Sequence, residues 1–363
     1  MRIAMVHDYF TQLGGAEKVA EELYHMLPNA DLFATVALRD KMPTSIQDVP
    51  VTTSWMQQLP NMRKLYRIYF PLYPFAVSSL DLSGYDLVVS SSSGYVKGVR
   101  VPPDSIHVCY CHTPMRWVWN FDNYSSRESF GGGIRAVLPT IIRSLQRWDE
   151  SASRQPDHFV ANSRTVADRI QKVYGRSAEV IVPPIDIHRF KLSEVQEDYY
   201  IILARLVPYK RIDLAVSACT RLGRRLIIMG GGPALEDLKR DAGPTVSFVG
   251  RISDAEVESY VSHCLGLIFP GEEDFGMSPV EVAGAGRPAI AYRAGGALET
   301  IVEGQTGVFF NEQTTESLMN AILEFEKITW LPLRIRQHAE EFSTEAFRAK
   351  FSTFLRRVGA PID

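Results

Sequence analysis

Short apolar runs recur along this chain, and between them apolar positions return every three or four residues, the pattern of buried strands alternating with amphipathic helices. In the first half, strands are predicted at 3–7, 32–36, 85–90, 106–110, 158–161 and 179–182. The alternation breaks at Pro183-Pro184-Ile185-Asp186-Ile187-His188-Arg189-Phe190 and the polar 191–198, a candidate hinge and linker. It restarts with strands predicted at 200–204, 225–229, 246–249, 265–269, 289–292 and 307–310. Such alternation implies parallel sheets covered on both faces, so the expected class is α/β, with two Rossmann-like doubly wound domains facing a cleft. The expected boundaries are 1–190 and 191–344, followed by a helical segment, 345–363, that crosses back to the first domain.

At 363 residues the chain can build two ordinary cores. A net charge of −3 gives no global attraction for nucleic acid, which argues against that class of partner. The start, Met1-Arg2-Ile3-Ala4-Met5-Val6-His7-Asp8, reads as a strand, not a secretory signal, and no apolar stretch is long enough to span a bilayer. Of the four cysteines only Cys109 and Cys111 are close, sharing one face of a strand. A reduced cytoplasmic setting is expected, with zinc binding as the lesser alternative.

The densest candidate chemistry is Gly271-Glu272-Glu273-Asp274-Phe275-Gly276-Met277-Ser278-Pro279-Val280-Glu281. It puts Glu273 in the loop after a strand and Glu281 in the first turn of a helix, with Pro279 as the first helical residue. Backbone N–H groups of Gly276, Met277 and Ser278 at that helix start suit a phosphate, and the flanking acids suit sugar hydroxyls. On spacing alone a capping box of Ser278 and Glu281 explains the segment equally well and needs no ligand. Glu272, Glu273 and Asp274 also have the composition of a solvated acidic loop or a hard-metal site.

Three further loops follow predicted strands. Ala204-Arg205-Leu206-Val207-Pro208-Tyr209-Lys210-Arg211 carries Arg205, which can grip two phosphate oxygens, and Lys210, a compact charge; together they suit a diphosphate. In Asp8-Tyr9-Phe10-Thr11-Gln12-Leu13-Gly14-Gly15-Ala16-Glu17 paired glycines permit close approach to an anion, although the full G-x-G-x-x-G is missing and a structural turn is the stronger reading of this loop alone. Cys109-Tyr110-Cys111-His112-Thr113-Pro114-Met115-Arg116-Trp117 puts His112 beyond a strand, with Arg116, Trp117 and Trp119 as a candidate ligand wall. A lone histidine is more often structural.

Together these residues resemble glycosyltransferase family 4, nucleotide-sugar enzymes of the two-domain GT-B architecture. The resemblance covers nearly the whole chain and is most specific at Glu273…Glu281 followed by Ala283-Gly284-Ala285-Gly286-Arg287-Pro288. The Gly14-Gly15 loop and Cys111-His112-Thr113-Pro114 resemble the bacterial polysaccharide mannosyltransferase branch. The resemblance implies a retaining hexosyltransferase in which Arg205 and Lys210 bind the donor diphosphate, Glu273 the transferred sugar and Glu281 the ribose. Phe275, Gly276, Met277 and Ser278 then line the donor, and Gly15 approaches the diphosphate from the first domain. Arg251 falls where relatives contact the base; Asp8, Arg116 and Ser163 belong to the acceptor side, and His112 holds the sugar.

Retention implies attack from the side of the departing phosphate, with a phosphate oxygen taking the acceptor proton and Glu273 orienting hydroxyls without forming a covalent bond. Negative charge grows on the leaving diphosphate and positive charge on the anomeric carbon; Arg205 and Lys210 can stabilise the first. No metal and no resident cofactor is expected, because these cations and the helix end supply the charge and the chain has no Asp-x-Asp sequence. Domain closure is expected to exclude water.

The expected donor is GDP-mannose and the expected acceptor a glycan or a polyprenyl-diphosphate-linked oligosaccharide in cell-surface polysaccharide assembly. Glucose, galactose, N-acetylglucosamine and rhamnose donors are alternatives. So is a noncatalytic nucleotide-sugar-binding scaffold; a phosphorylase-like enzyme lacks any signal for its pyridoxal-phosphate lysine. The segment from Trp55 to Phe70 mixes basic and aromatic residues as an interfacial helix would, with a packed helix slightly the stronger reading. An interfacial helix would put the protein on the inner face of the cell membrane.

Overall fold

The computed structural model describes residues 1–119, 132–360 and 362, with 132–137 described by backbone alone. It divides into two compact units, Met1–Val182 with Arg348–Asp363, and Pro183–Phe347. Residues 361 and 363 of the expected C-terminal segment lie outside the described residues.

The first unit contains β1 (Ile3–Phe10), β2 (Asp31–Ala37), β3 (Val51–Thr53), β4 (Leu87–Ser92), β5 (Ile106–Cys111), β6 (His158–Ala161) and β7 (Ala178–Val180). They form one parallel sheet in the order β3-β2-β1-β4-β5-β6-β7. β1 and β4 lie at its centre and are buried along almost their whole length; each is apolar over its first half and carries buried polar groups, His7 and Asp8 on β1 and Ser90, Ser91 and Ser92 on β4, toward its carboxyl end. The edge strand β3, with half-exposed Val51 and Thr53, was not predicted from the hydrophobic pattern.

The second unit repeats the plan with β8 (Tyr200–Leu203), β9 (Leu226–Met229), β10 (Val246–Gly250), β11 (Gly266–Phe269), β12 (Ala289–Tyr292) and β13 (Gly307–Phe310), in the order β10-β9-β8-β11-β12-β13. Each sheet therefore changes direction beside its first strand, between β1 and β4 and between β8 and β11. Loops at the carboxyl ends of such strand pairs splay apart and leave room for a ligand.

The expected hinge is not a free linker. Ile185, Ile187 and Phe190 are buried, and Ile185 N–H donates to the Phe342 carbonyl at 3.1 Å, which packs this segment onto the second unit and moves the boundary forward to 182/183. Even the polar stretch after it is held: Arg287 donates to the carbonyls of Ser193 at 3.1 Å and Val195 at 2.7 Å. From Arg348 onward the last helix, Thr344–Arg357, belongs to the first unit, where it buries Phe351, Phe354 and Leu355.

The basic and aromatic segment is broken into pieces, a 3-10 turn at Trp55–Gln58, a short helix at Met62–Leu65 and a second 3-10 turn at Phe70–Leu72. Pro60 and the left-handed Asn61 (φ 50°) interrupt the single helix that was expected. Among the described residues no helix is long and apolar enough to cross a membrane.

Candidate functional site

At the switch of the second sheet, β8 leads into the Arg205 loop and the 3-10 turn Pro208–Lys210, after which Arg211 (φ 50°) starts the helix Ile212–Leu222. Leu206 is fully buried and anchors the loop, while Arg205 is exposed. Lys210 Nζ lies 2.7 Å from Glu273 Oε1, and the two side chains keep 16% and 22% of their surface in solvent. Both groups keep part of their surface in water, so Lys210 can exchange its partner for another anion without either charge being left wholly desolvated. Gly271 permits the approach: a Cβ there would lie 2.7 Å from Lys210 Cα.

The helix after β11 is Met277–Gly284, two residues longer at its start than predicted, and Pro279 is its third residue, still within the turn whose N–H groups lack intrahelical acceptors. Gly276 caps it in the left-handed region (φ 87°) with no side-chain cap among the described residues. The capping-box alternative is therefore overturned. Ser278 Oγ donates instead to the Leu203 carbonyl at 3.0 Å, tying the helix start to β8. Glu281 is 9% exposed on this helix. Phe275 is buried against Phe342, ring centroids 5.8 Å apart, so its side chain is taken and only its backbone can meet a ligand. Arg251 is exposed just after Gly250 (φ 71°) at the end of β10.

Two glycine clusters that the sequence reading did not single out shape this region. A Cβ at Gly230 would meet the Ala204 carbonyl at 1.9 Å and one at Gly232 the Leu206 carbonyl at 2.2 Å, so the run after β9 cradles the Arg205 loop. A Cβ at Gly296 would lie 2.2 Å from Phe275 Cα, and Gly296 N–H donates to the Glu273 carbonyl at 2.8 Å. Their signal was the bare repetition in Gly230-Gly231-Gly232 and Gly295-Gly296.

At the switch of the first sheet the polar groups are sealed. Asp8, 2% exposed, accepts N–H bonds from Ser93 (2.5 Å), Tyr95 (2.7 Å) and Val96 (2.8 Å). Its carboxylate thus pins the loop after β4, and the expected acceptor-positioning role gives way to an anchoring one. His112, 8% exposed, follows β5; its Nε2 is 2.8 Å from Ser91 Oγ, and His7 Nδ1 is 3.1 Å from the same oxygen. Burial pushes the His112 pKa down to about 3 and that of His7 to about 4, so both rings are neutral. Gly15 is the first residue of the helix Gly15–Met26, capped by the extended Gly14. Beside it lies a group that the sequence reading missed: Glu17, whose buried Oε2 has no hydrogen-bond partner among the described residues and whose carboxyl is pushed up by burial to about 7.

Other candidates are absorbed by the core. Ser163 is fully buried as the cap of the helix Arg164–Tyr174, accepting from Val166 N–H at 3.1 Å, and so is not a cleft residue. Trp117, half-buried, packs edge-on against Phe70 at 5.2 Å, and half-buried Trp119 donates from Nε1 to Asp149 Oδ2 at 2.7 Å; Arg116 opens the short helix that carries them. Asp149 also binds Lys97, the two side chains being 0% and 1% exposed. Cys109 and Cys111 pack with Phe159 and Val166, and among the described residues no three metal-ligating side chains gather.

A family model described as glycosyl transferases group 1 matches residues 184–342, and one described as glycosyltransferase family 4 matches residues 13–189. The chain is 28% identical over 221 residues to a GDP-mannose-dependent alpha-(1-6)-phosphatidylinositol monomannoside mannosyltransferase of Mycolicibacterium smegmatis, a match covering 52% of this chain and 56% of the relative. It is 30% identical over 223 residues to the protein of that name from Mycobacterium tuberculosis, with the same coverage. The chain thus spans little more than half the length of these curated relatives. Among solved structures, Anabaena HepE in complex with UDP superimposes with a TM-score of 0.74 at 18% identity, covering 98% of this chain and 100% of that one. Sucrose-phosphate synthase from Thermosynechococcus elongatus does so at 0.74 and 15%, covering 99% and 100%. At such identities the likeness is one of fold. With two matching family models that together run from residue 13 to 342 and the twin parallel sheets of its structural neighbours, this chain belongs to the family 4-like glycosyltransferases of the GT-B fold.

Proposed function

We propose that the protein transfers mannose from GDP-mannose, with retention of configuration, to a glycan or lipid-linked oligosaccharide in cell-surface polysaccharide assembly. The observation that carries this reading is the meeting of Lys210 with Glu273 at the carboxyl ends of β8 and β11, near exposed Arg205 and a helix start capped by a glycine with no side-chain cap. On binding, the donor diphosphate takes Lys210 and Arg205, where preorganised positive charge meets the negative charge that grows as the sugar–phosphate bond breaks. Glu273, released from Lys210, accepts hydrogen bonds from sugar hydroxyls; Met277 and Ser278 offer backbone N–H groups, and Glu281 the ribose contact. From the first unit the reading takes His112 for the sugar and Gly15 for the diphosphate. These charges let the step run without a metal or a resident cofactor. GDP-mannose is favoured because the mycobacterial relatives are named as dependent on it.

Exposed Trp55, Ile68 and Phe75 lie in the same stretch of sequence as exposed Arg63, Lys64 and Arg67 and support peripheral contact with an anionic membrane face. Arg63 is held by Asp40, at 2.6 Å and 3.1 Å, and Arg67 lies over Tyr66, which leaves Lys64 and the apolar side chains as the stronger part of that patch.

Thermal stabilisation by a panel of GDP-, UDP-, ADP- and dTDP-sugars tests the reading. Selective stabilisation by GDP-mannose, lost in Arg205→Ala and Lys210→Ala, is the expected result. Preference for another nucleotide sugar would overturn the mannose donor while keeping the transferase; binding without turnover across a broad acceptor panel would favour a scaffold.

A further inference from the structure

We propose that Arg211 is a positioning residue for Lys210: held by Asp213 in a left-handed turn, it fixes the direction in which the Lys210 side chain leaves the loop and keeps its ammonium on Glu273. That this ammonium then takes a donor diphosphate rests on the glycosyl-transfer reading; its placement does not.

Among the described residues, those other than glycine with a positive φ are Asn29, Asn61 and Arg211. The short polar side chain of asparagine eases that conformation, and arginine has no such compensation of its own. Arg211 (φ 50°, ψ 37°) nonetheless forms the joint between the 3-10 turn Pro208–Lys210 and the helix Ile212–Leu222, with no side-chain cap on that helix. What holds it is Asp213. Arg211 Nε donates to Asp213 Oδ1 at 3.1 Å and to Oδ2 at 3.3 Å, and Nη2 donates to Oδ2 at 3.0 Å, a fork closed across one intervening residue. Asp213 sits in the first helical turn, where its charge faces the positive end of the helix dipole, so the carboxylate is fixed by the helix and the guanidinium by the carboxylate.

The consequence falls on the preceding residue. Lys210 and Arg211 share a peptide plane, so a swing of Arg211 out of the left-handed region rotates that plane and redirects Lys210. On its other side the Lys210 main chain has no slack, because a Cβ on Gly271 would lie 2.7 Å from Lys210 Cα and 3.0 Å from its carbonyl carbon and oxygen. Lys210 is thus gripped between the Gly271 backbone and the Arg211 turn, and from there its Nζ reaches Glu273 Oε1 at 2.7 Å.

Acetic anhydride labelling of the whole protein, read by mass spectrometry at Lys210, tests the placement without any ligand, and titration with GDP and UDP tests its use. Arg211→Ala and Arg211→Gly remove the same charge, and only glycine takes a positive φ freely, so the difference between them isolates the turn. Lys210 should label slowly in the wild-type protein and in Arg211→Gly. In Arg211→Ala it should label about fivefold faster or more, and the nucleoside diphosphate should bind more weakly than in Arg211→Gly by a similar factor. Asp213→Asn should weaken the nucleotide about two- to fivefold, although losing a negative charge near an anion would by itself tighten it. Combined with Arg211→Gly, the same Asp213→Asn change should weaken it no further, because no clamp is left to break. Equal labelling and equal nucleotide affinity in Arg211→Ala and Arg211→Gly, or tighter binding in Asp213→Asn, overturns the proposal. Labelling in the expected order in a protein that binds neither nucleoside diphosphates nor nucleotide sugars upholds the placement and overturns its use, which separates this failure from failure of the functional reading.

Discussion

At the switch of the first sheet His7 and Asp8 are 2% exposed and Ser91 is fully buried, whereas at the matching place in the second sheet Lys210 and Glu273 keep 16% and 22% of their side-chain surface in solvent. The topology is the same and the energetics are opposed. Sealed polar groups must satisfy one another, so altering one leaves its partners buried and unpaired. The partly exposed pair can be opened to solvent, and what it loses in one partner it can regain from a ligand. Substitutions in the first unit should therefore read out in stability, and those in the second in binding and turnover.

The hardest test of that contrast is Lys97→Met. It leaves Asp149 charged in the core of the first unit and should cost about 3–5 kcal/mol in urea unfolding, the usual penalty for breaking a buried pair. A loss below about 1 kcal/mol would mean that the pair is not the structural element its burial implies. Lys210→Ala should do the reverse. Turnover of the nucleotide sugar is expected to fall about 10²–10³-fold, as for removal of one preorganised charge-stabilising group, with the unfolding midpoint essentially unchanged. A large fall in stability would put Lys210 with the first-unit groups and break the comparison.

Acid–base behaviour sharpens it. Glu17 has a carboxyl whose pKa rises from 4.5 to about 7 on burial, so the fold favours its protonated form. The stability it contributes is fully present below pH 4.5 and is lost as pH rises through about 7. His7 and His112 act in the opposite sense: with pKa values lowered from 6.5 to about 4 and about 3, their contribution is present above pH 6.5 and lost as pH falls through that window. Glu17→Gln should remove the alkaline loss, worth up to about 3 kcal/mol for a shift of this size, and leave the acid loss in place. Urea midpoints at pH 5 and pH 8 measure it; an unchanged pH dependence would show that Glu17 ionises freely.

How much of this was legible beforehand depends on the range of the interaction. β12 and β13 lie where the apolar runs placed them, because Gly and Pro bound each run. β3 escaped because Val51-Thr52-Thr53 carries too little apolar character to stand out. Arg205, Lys210 and Glu273 could be singled out as candidates because each lies in a short loop or turn after a strand, and Glu281 because it lies on the helix that follows the last of these loops. The Ser91 bridge, the Lys97–Asp149 pair and the fit of Gly271 against Lys210 could not, because each is set by strands or helices far apart in sequence; His7 and Ser91 are 84 residues apart. The burial of Ile185, Ile187 and Phe190 after Pro183-Pro184 was hidden for a related reason. Aromatic and proline signals are local, and whether they face solvent or core is decided by tertiary packing.

Ser278 gives the smallest and most discriminating effect, because it separates two meanings of one sequence pattern. Were it the cap of a Ser278/Glu281 box, Ser278→Ala would fray the helix start and disorder the N–H groups proposed for the donor. Its hydroxyl instead donates to the Leu203 carbonyl at 3.0 Å, and the helix is capped by Gly276 in a left-handed turn that does not depend on it. Ser278→Ala should then cost about 1 kcal/mol, one neutral hydrogen bond, and weaken the donor no more than a few-fold, since the main-chain N–H survives the change. Urea unfolding and donor titration on the same variant measure both. A donor loss approaching that of Lys210→Ala would mean that the Ser278 hydroxyl itself meets the ligand, and that the tie to β8 is exchanged on binding as the Lys210–Glu273 pair is.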